Sequence, residues 1–167
     1  MSPKRRLREK LSIEQLIDKV EATPGLEILG PDPPMHLCCK ILPRSAPWDL
    51  SVLEKLRVIT LPPDLRELWG QVSSLRLFED VTYGQWGLII WTPDEAITRH
   101  QQKVAERRRD FLPGDLIIGE FLGDSDLLVV RCNPGEQDFG MVLIALPLDG
   151  REDWYVAGAS LTEFIEK

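Results

Sequence analysis

The chain has 167 residues, a mass of 19.0 kDa and a hydrophobic fraction of 43%, which predict one globular domain with extensions and exclude general disorder. No apolar run has the length of a membrane span, and no apolar core with a cleavage site follows the basic start MSPKRRLREK. Three cysteines, two of them adjacent, do not make a disulfide framework. We therefore expect a protein of the reducing cytoplasm.

The formal net charge of −7 is unevenly distributed. Residues 1–60 contain ten Lys and Arg against eight Asp and Glu, whereas residues 61–167 contain ten against 19. Phosphate binding needs clustered cations, so nucleic acid is a poor partner for the acidic body. We expect no membrane partner either. A basic protein matches the acidic body better, because complementary fields speed encounter. The alternative is an acidic surface that serves solubility alone.

The first predicted element after a basic tail is a helix. Ser12 and Gln15 match a capping box that precedes an apolar stripe with helical spacing. The pattern predicts a helix over residues 13–22, which ends before a Pro-Gly pair.

A hairpin is predicted over residues 26–42. Proline-rich turn residues at 30–34 separate a short apolar run from a run in which apolar and polar residues alternate. A soft-metal site at His36, Cys38 and Cys39 is the alternative, but no second His or Cys pair lies at ligand spacing, and neighbouring strand residues point to opposite faces. We expect packed cysteines here.

Two helices and a strand come next. Apolar spacing predicts a short helix over residues 48–57, and prolines open a second helix over residues 61–69. Residues 75–78 form a short strand candidate. Glu79 and Asp80 are expected to expose a pair of carboxylates beside that strand.

The run from Trp86 to Trp91 is rich in large residues that favour strands and predicts the central strand. The two rings are separated by an odd interval, so they should face opposite sides of the sheet. One ring is then free to pack in the core while the other faces a partner; the pattern does not say which.

A long helix is predicted immediately after this strand. Thr92 reads as its N-cap, Pro93 as the first helical residue and Glu95 as the return partner of a capping box. The helix should extend to about Arg109. His100 lies near its apolar stripe and is expected to be packed rather than to act as an acid or base.

The remaining chain is predicted to be mostly strand. Turn residues at 123–126 separate two apolar runs and indicate a second hairpin, and Ser160 with Glu163 forms a third capping box before a terminal helix. The predicted strands are residues 116–122, 127–132, 141–146 and 154–157.

Signatures of catalysis are weak. The chain has two histidines and lacks a Gly-x-Ser-x-Gly elbow, a phosphate-binding glycine loop and a dinucleotide fingerprint. Asp124 and Asp126 resemble the start of a calcium loop, but the Glu at its twelfth position is missing. Acidic pairs such as Glu152 and Asp153 are more typical of surface charge than of a glycosidase or metal centre. We predict a protein that is not an enzyme and needs no cofactor or metal.

Several loose motifs in a fixed order resemble the SUKH superfamily over about residues 50–167. They are LPPDLRELW at 61–69, a glycine-containing strand before TPDEAI at 92–97, DLIIGEFLGDSDLLVV at 115–130 and WYVAGASLTEFI at 154–165. The single glycine in WGQVSS, at 69–74, departs from the Gly-rich segment that often follows the first helix of that family.

The resemblance implies an α+β fold with a central, curved, mostly antiparallel sheet of about five to six strands flanked by helices. Residues 50–167 would form this SUKH-like domain. Residues 1–49 would be an N-terminal extension packed on it, with the basic tail, the helix and the hairpin.

The resemblance also implies function. Most bacterial relatives are cytoplasmic immunity proteins that bind and neutralise a toxin, often a nuclease, whereas others are regulatory or scaffolding modules in cell-wall or secretion pathways. We therefore expect a non-enzymatic protein that occludes a basic cognate toxin, with the regulatory role as the alternative. The candidate partner-binding residues are Glu79, Asp80, Tyr83, Trp86, Asp124 and Asp126.

Overall fold

The computed structural model of the protein describes residues 12–22, 25–28, 35–43, 49–57, 59–81 and 86–166. The helices are α1 (Ile13–Glu21), α2 (Leu50–Arg57), α3 (Pro63–Gln71), α4 (Pro93–Glu106) and α5 (Leu161–Glu166), with a 3-10 turn at Arg151–Asp153. The strands are β1 (Gly25–Ile28), β2 (Met35–Pro43), β3 (Val72–Asp80), β4 (Leu88–Ile90), β5 (Asp115–Phe121), β6 (Leu127–Arg131), β7 (Val142–Ala145) and β8 (Tyr155–Gly158).

Within the described residues, all eight strands form one antiparallel meander in chain order, from β1 to β8. The predicted α+β class is confirmed, and both predicted hairpins are present. The sheet has more strands than the expected five to six, because β2 pairs with β3 and so adds the first hairpin to the same sheet. Strand β4 lies near the middle, as predicted for this segment.

Helices cover both faces of the sheet. Helices α1, α3 and α5 contact one another, and they pack on β2, β3 and β8, respectively. Helix α4 packs on β5 and also contacts α2. Arg99 on α4 forms an ion pair with Glu120 at 3.9 Å. Since Glu120 and Phe121 are consecutive strand residues, α4 lies over the face opposite to the Phe121 side chain.

The two tryptophans that flank the middle of the sheet have different environments. Trp91 is 2% exposed, and its backbone carbonyl accepts a hydrogen bond of 3.0 Å from Nε1 of the buried Trp69 on α3. Trp86 is 52% exposed. Neither belongs to a strand, because the predicted strand over residues 86–91 is reduced to Leu88–Ile90. Gly87, with a φ of +140°, separates Trp86 from the regular part.

Capping interactions follow the predictions in part. Ser12 and Gln15 make both bonds of their box, and Oγ1 of Thr92 accepts the N–H of Glu95 at 3.2 Å. The third box is modified: Ser160 Oγ accepts the N–H of Glu163, whose carboxylate accepts from Ala159 rather than from Ser160.

Helix α4 ends earlier than predicted, at Glu106 rather than near Arg109. Arg107 leaves the helical conformation and donates from Nη1 to the carbonyl of Leu146 at 2.7 Å, while its Nε pairs with Asp110 at 2.9 Å. These tertiary contacts replace the next helical turn. His100 is packed as expected, and its Nδ1 accepts the N–H of Ile117 at 3.1 Å.

Candidate functional site

An open apolar groove of about 690 Å³ lies between one end of the sheet and helix α5. Asp124 is the only charged residue among the described residues that line it. The lining residues are Leu37, Leu77, Phe78, Trp86, Gly87, Leu88, Phe121, Leu122, Asp124, Ala157, Phe164 and Ile165. We define the groove by these twelve residues.

The floor of the groove is a row of cross-strand neighbours. Leu77 on β3 is paired with Leu88 on β4, and Leu88 is paired with Phe121 on β5, so the three side chains share one face of the sheet. Phe164 and Ile165 of α5 line the opposite side. The groove thus occupies the end of the sheet where the α1–α3–α5 layer leaves apolar side chains uncovered.

A β-bulge adds an aromatic ring to this row. Arg76 pairs with Lys40 and Glu79 with Cys38, which leaves Leu77 and Phe78 opposite the single residue Cys39. Phe78 has a φ of +52°, in the left-handed region that large side chains rarely adopt. Consecutive residues of a regular strand point to opposite faces, yet Leu77 and Phe78 both line the groove. The bulge therefore directs Phe78, which is 51% exposed, into the site.

The other exposed ring, Trp86, is held by close contact between two backbones. Its carbonyl accepts the N–H of Asp80 at 2.9 Å. The next residue, Gly87, lies against Glu79, where a Cβ atom would come within 2.9 Å of the Glu79 Cα. Only glycine fits both this approach and the positive φ. Backbone packing thus positions Trp86 at the groove.

Acidic side chains adjoin the groove in the turn between β5 and β6. Asp124 lines the groove, and Asp126 is half-buried two residues later. Burial, and secondarily the negative charge of Asp124, raise the pKa of the Asp126 carboxyl above its usual range. A cation placed here would relieve repulsion between the two carboxylates.

The structure brings together only part of the predicted site. Trp86 and Asp124 line the groove, and Asp126 lies beside it. The expected exposed pair at residues 79 and 80 is wrong: Asp80 is 2% exposed, and Glu79 forms an ion pair with Arg76 at 2.8 Å. Tyr83 lies outside the described residues. A role of any of these residues in partner binding stays a prediction.

A buried ion network at the other end of β5 went unrecognised in the sequence. Arg131, 1% exposed, donates from Nη1 to Oδ1 of Asp115 at 2.7 Å and from Nε to Asp138 at 2.9 Å. Asp115 also accepts from Arg151 and from the N–H of Leu112. The signal available in the sequence was a single arginine within the apolar run of β6.

This network stabilises the charged form of its central residue, Arg131. Burial disfavours the charged guanidinium, but hydrogen bonds and attraction from Asp115, together with bonds from Asp138 and Glu136, outweigh it and raise the pKa of Arg131. The neighbouring Cys132 is fully buried, and burial raises the pKa of its thiol. Both residues serve the fold at this end of the sheet.

The described residues contain neither a candidate metal site nor a candidate membrane span. No cluster of three or more His, Cys, Asp or Glu residues is arranged to hold a metal ion in this part of the chain. None of the helices that the structure describes has the length and apolarity to cross a membrane.

Fold and groove together define an α+β protein built on one antiparallel meander, in which an apolar recess lies beside helix α5. The model of the SMI1 / KNR4 family (SUKH-1) matches residues 46–167, and the chain belongs to this family. The resemblance expected from about residue 50 is therefore confirmed. No curated protein and no solved structure matches the chain significantly.

Proposed function

We propose that the protein is a cytoplasmic, non-enzymatic immunity protein that binds a cognate toxin and occludes its active site, with the apolar groove as the centre of the interface. The observation that carries the proposal is the groove itself. Two aromatic rings, Phe78 and Trp86, are each about half exposed at a recess of about 690 Å³ in a SUKH-1 protein. Aromatic residues in such recesses supply most of the binding energy of protein interfaces.

The charge of the chain indicates the kind of partner. Residues 61–167 carry 19 Asp and Glu against ten Lys and Arg, and Asp124 is the charged residue of the groove. A basic toxin, such as a nuclease whose active site attracts phosphate, would be drawn to this surface. Charge would then speed encounter, while the apolar contacts would set the lifetime of the complex.

The test is protection of a bacterial host that co-expresses the chain with the toxin encoded next to its gene. The native chain should restore growth and co-purify with the toxin. Trp86→Ala should weaken protection, because it removes a ring at the interface. Leu112→Ala is the matched control: Leu112 is 49% exposed, close to the 52% of Trp86, but lies outside the groove.

Two outcomes would reject the proposal. The first is failure of the native chain to protect against every toxin candidate encoded beside it. The second is stable binding of a non-toxic cell-wall or secretion protein in the groove, which would favour the regulatory and scaffolding role instead.

A further inference from the structure

We infer that the groove accepts a segment of the partner in which apolar side chains are flanked by Lys or Arg. The inference rests on the proposed function and specifies the chemistry of what enters the site. It follows from the size of the groove, from its nearly uniform apolar lining and from the position of its one charged group.

The size of the groove fits several side chains at once. Its volume of about 690 Å³ lies in the range of about 300–1,000 Å³ typical of sites that enclose a compact ligand. Phe78 and Trp86, which line the groove, are each about half exposed to solvent. A short partner segment can therefore enter from outside without any opening of the fold.

The lining argues against a polar metabolite. Sites for such molecules combine an apolar surface with several converging polar groups that fix the orientation of the ligand. Here, of the described lining side chains, Asp124 alone is charged, and the indole N–H of Trp86 is the one further polar group. The occupant must consequently bring apolar groups to both walls of the groove. One wall is the row of Leu77, Leu88 and Phe121, and the other is Phe164 and Ile165 of α5.

The carboxylate of Asp124 favours a positive charge next to the apolar part of the occupant. A carboxylate ligand such as a fatty acid would meet Asp124, and Asp126 beside it already experiences the field of Asp124. A Lys or Arg next to the apolar anchor would instead pair with Asp124 and reduce that repulsion. Arg76 does not cancel this field, because Arg76 forms an ion pair with Glu79 and lies on the strand face opposite to Leu77.

The experiment titrates the full-length protein with three probes. The resonances of Trp86 and of the groove amides are followed in ¹H–¹⁵N NMR spectra. The probes are the peptides Ac-Lys-Leu-Phe-Leu-Lys-amide and Ac-Glu-Leu-Phe-Leu-Glu-amide and the fatty acid decanoate. The lysine peptide should shift groove resonances and bind about tenfold more tightly than the glutamate peptide, a difference that one charge-assisted contact can supply.

Two charge-matched variants assign the preference to its source. Asp124→Asn should sharply reduce the difference between the peptides, because Asp124 is the charged residue of the groove. Glu106→Gln removes the same charge from an exposed site at the end of α4, on the other face of the sheet, and should preserve the difference. Because both sites are exposed, neither variant should impair folding, which thermal unfolding checks.

Equal binding of the two peptides, or tighter binding of decanoate than of the lysine peptide, would overturn the inference. So would shifts of the lysine peptide that lie outside the groove. These results would leave toxin neutralisation intact if co-expression still protected the host. Conversely, charge-selective peptide binding without protection from any toxin would reject only the immunity function.

Discussion

The backbone N–H of Phe78 donates a hydrogen bond to the sulfur of Cys39, with a donor–acceptor distance of 3.4 Å. This contact crosses the β-bulge at which two residues of β3 face one residue of β2. A left-handed backbone at a large aromatic residue is strained, and such strain is often found where it positions a side chain for function. At Phe78, the β-bulge places the ring at the groove and holds the backbone in this strained conformation.

Two substitutions at Phe78 separate this strain from the loss of the ring. Glycine accepts a φ of +52° without penalty, whereas alanine does not. Phe78→Gly should therefore be more stable than Phe78→Ala by about 1 kcal/mol, the reverse of the usual order in strands. Urea unfolding of both variants measures the difference. A more stable alanine variant would mean that Phe78 is not strained.

Substitution of Gly87 should also destabilise the fold, because Gly87 lies against the backbone of Glu79. Gly87→Ala combines a positive φ with a Cβ atom 2.9 Å from backbone, so we expect a loss of about 1–3 kcal/mol in the free energy of unfolding. Gly70→Ala provides the control, since no atom lies within 4 Å of its added Cβ and Gly70 is helical. That variant should be neutral or slightly stabilised. Similar destabilisation of both variants would contradict the structure.

Removal of Arg131 should be the most damaging single change. Arg131→Met leaves Asp115 and Asp138 with fewer buried partners, and we expect a loss of about 3–5 kcal/mol. Arg108→Met, at an exposed position after α4, should change stability by less than about 0.5 kcal/mol. Chemical denaturation distinguishes the two.

The double variant Asp115→Asn/Arg131→Met tests whether the damage comes from uncompensated charge. It should be less destabilised than the sum of the single variants, because the two residues are in direct contact. Strict additivity would show that they do not interact energetically.

Asp126 gives a dependence of stability on pH. Its pKa is raised in the folded state, so folding is favoured while the carboxyl is protonated, and stability is lost as pH rises from the unfolded value of about 4 through the folded value. Asp126→Asn should therefore raise the melting temperature at pH 7 but not below about pH 4. If the native chain instead gained stability relative to Asp126→Asn as pH rises, the pKa of Asp126 would be lowered in the folded state and the prediction would be wrong.

Local signals in the sequence were sufficient to predict most helices and strands and their order along the chain. The capping box at Ser12, the cap at Thr92 and the turn residues of the second hairpin at 123–126 involve near neighbours, so composition and spacing reveal them. The α+β class was expected from the resemblance to the SUKH superfamily. The length of α4 was predicted wrongly, because Arg107 exchanges a helical turn for contacts with distant carbonyls.

The candidate site was only partly predictable for the same reason. Trp86 was a candidate as one of two rings expected on opposite faces, and Asp124 as an acid in a turn; both line the groove. Phe78 was missed, since the bulge that redirects it depends on its register with Cys39, which lies 39 residues away. Asp80 was misplaced because a carboxylate next to Glu79 looked like surface charge, and only the pairing of β3 with β2 buries it. The network around Arg131 likewise joins residues from separate turns.

The proposed interface is tested most directly by hydrogen–deuterium exchange of the protein alone and in complex with the toxin that the co-expression experiment identifies. We predict slower exchange on binding at the end of β3, in the segment from Trp86 to Leu88, and in α5, with no change in α4 on the opposite face. Slower exchange confined to α2 and α4, with the groove unaffected, would contradict the claim that the groove is the partner-binding surface.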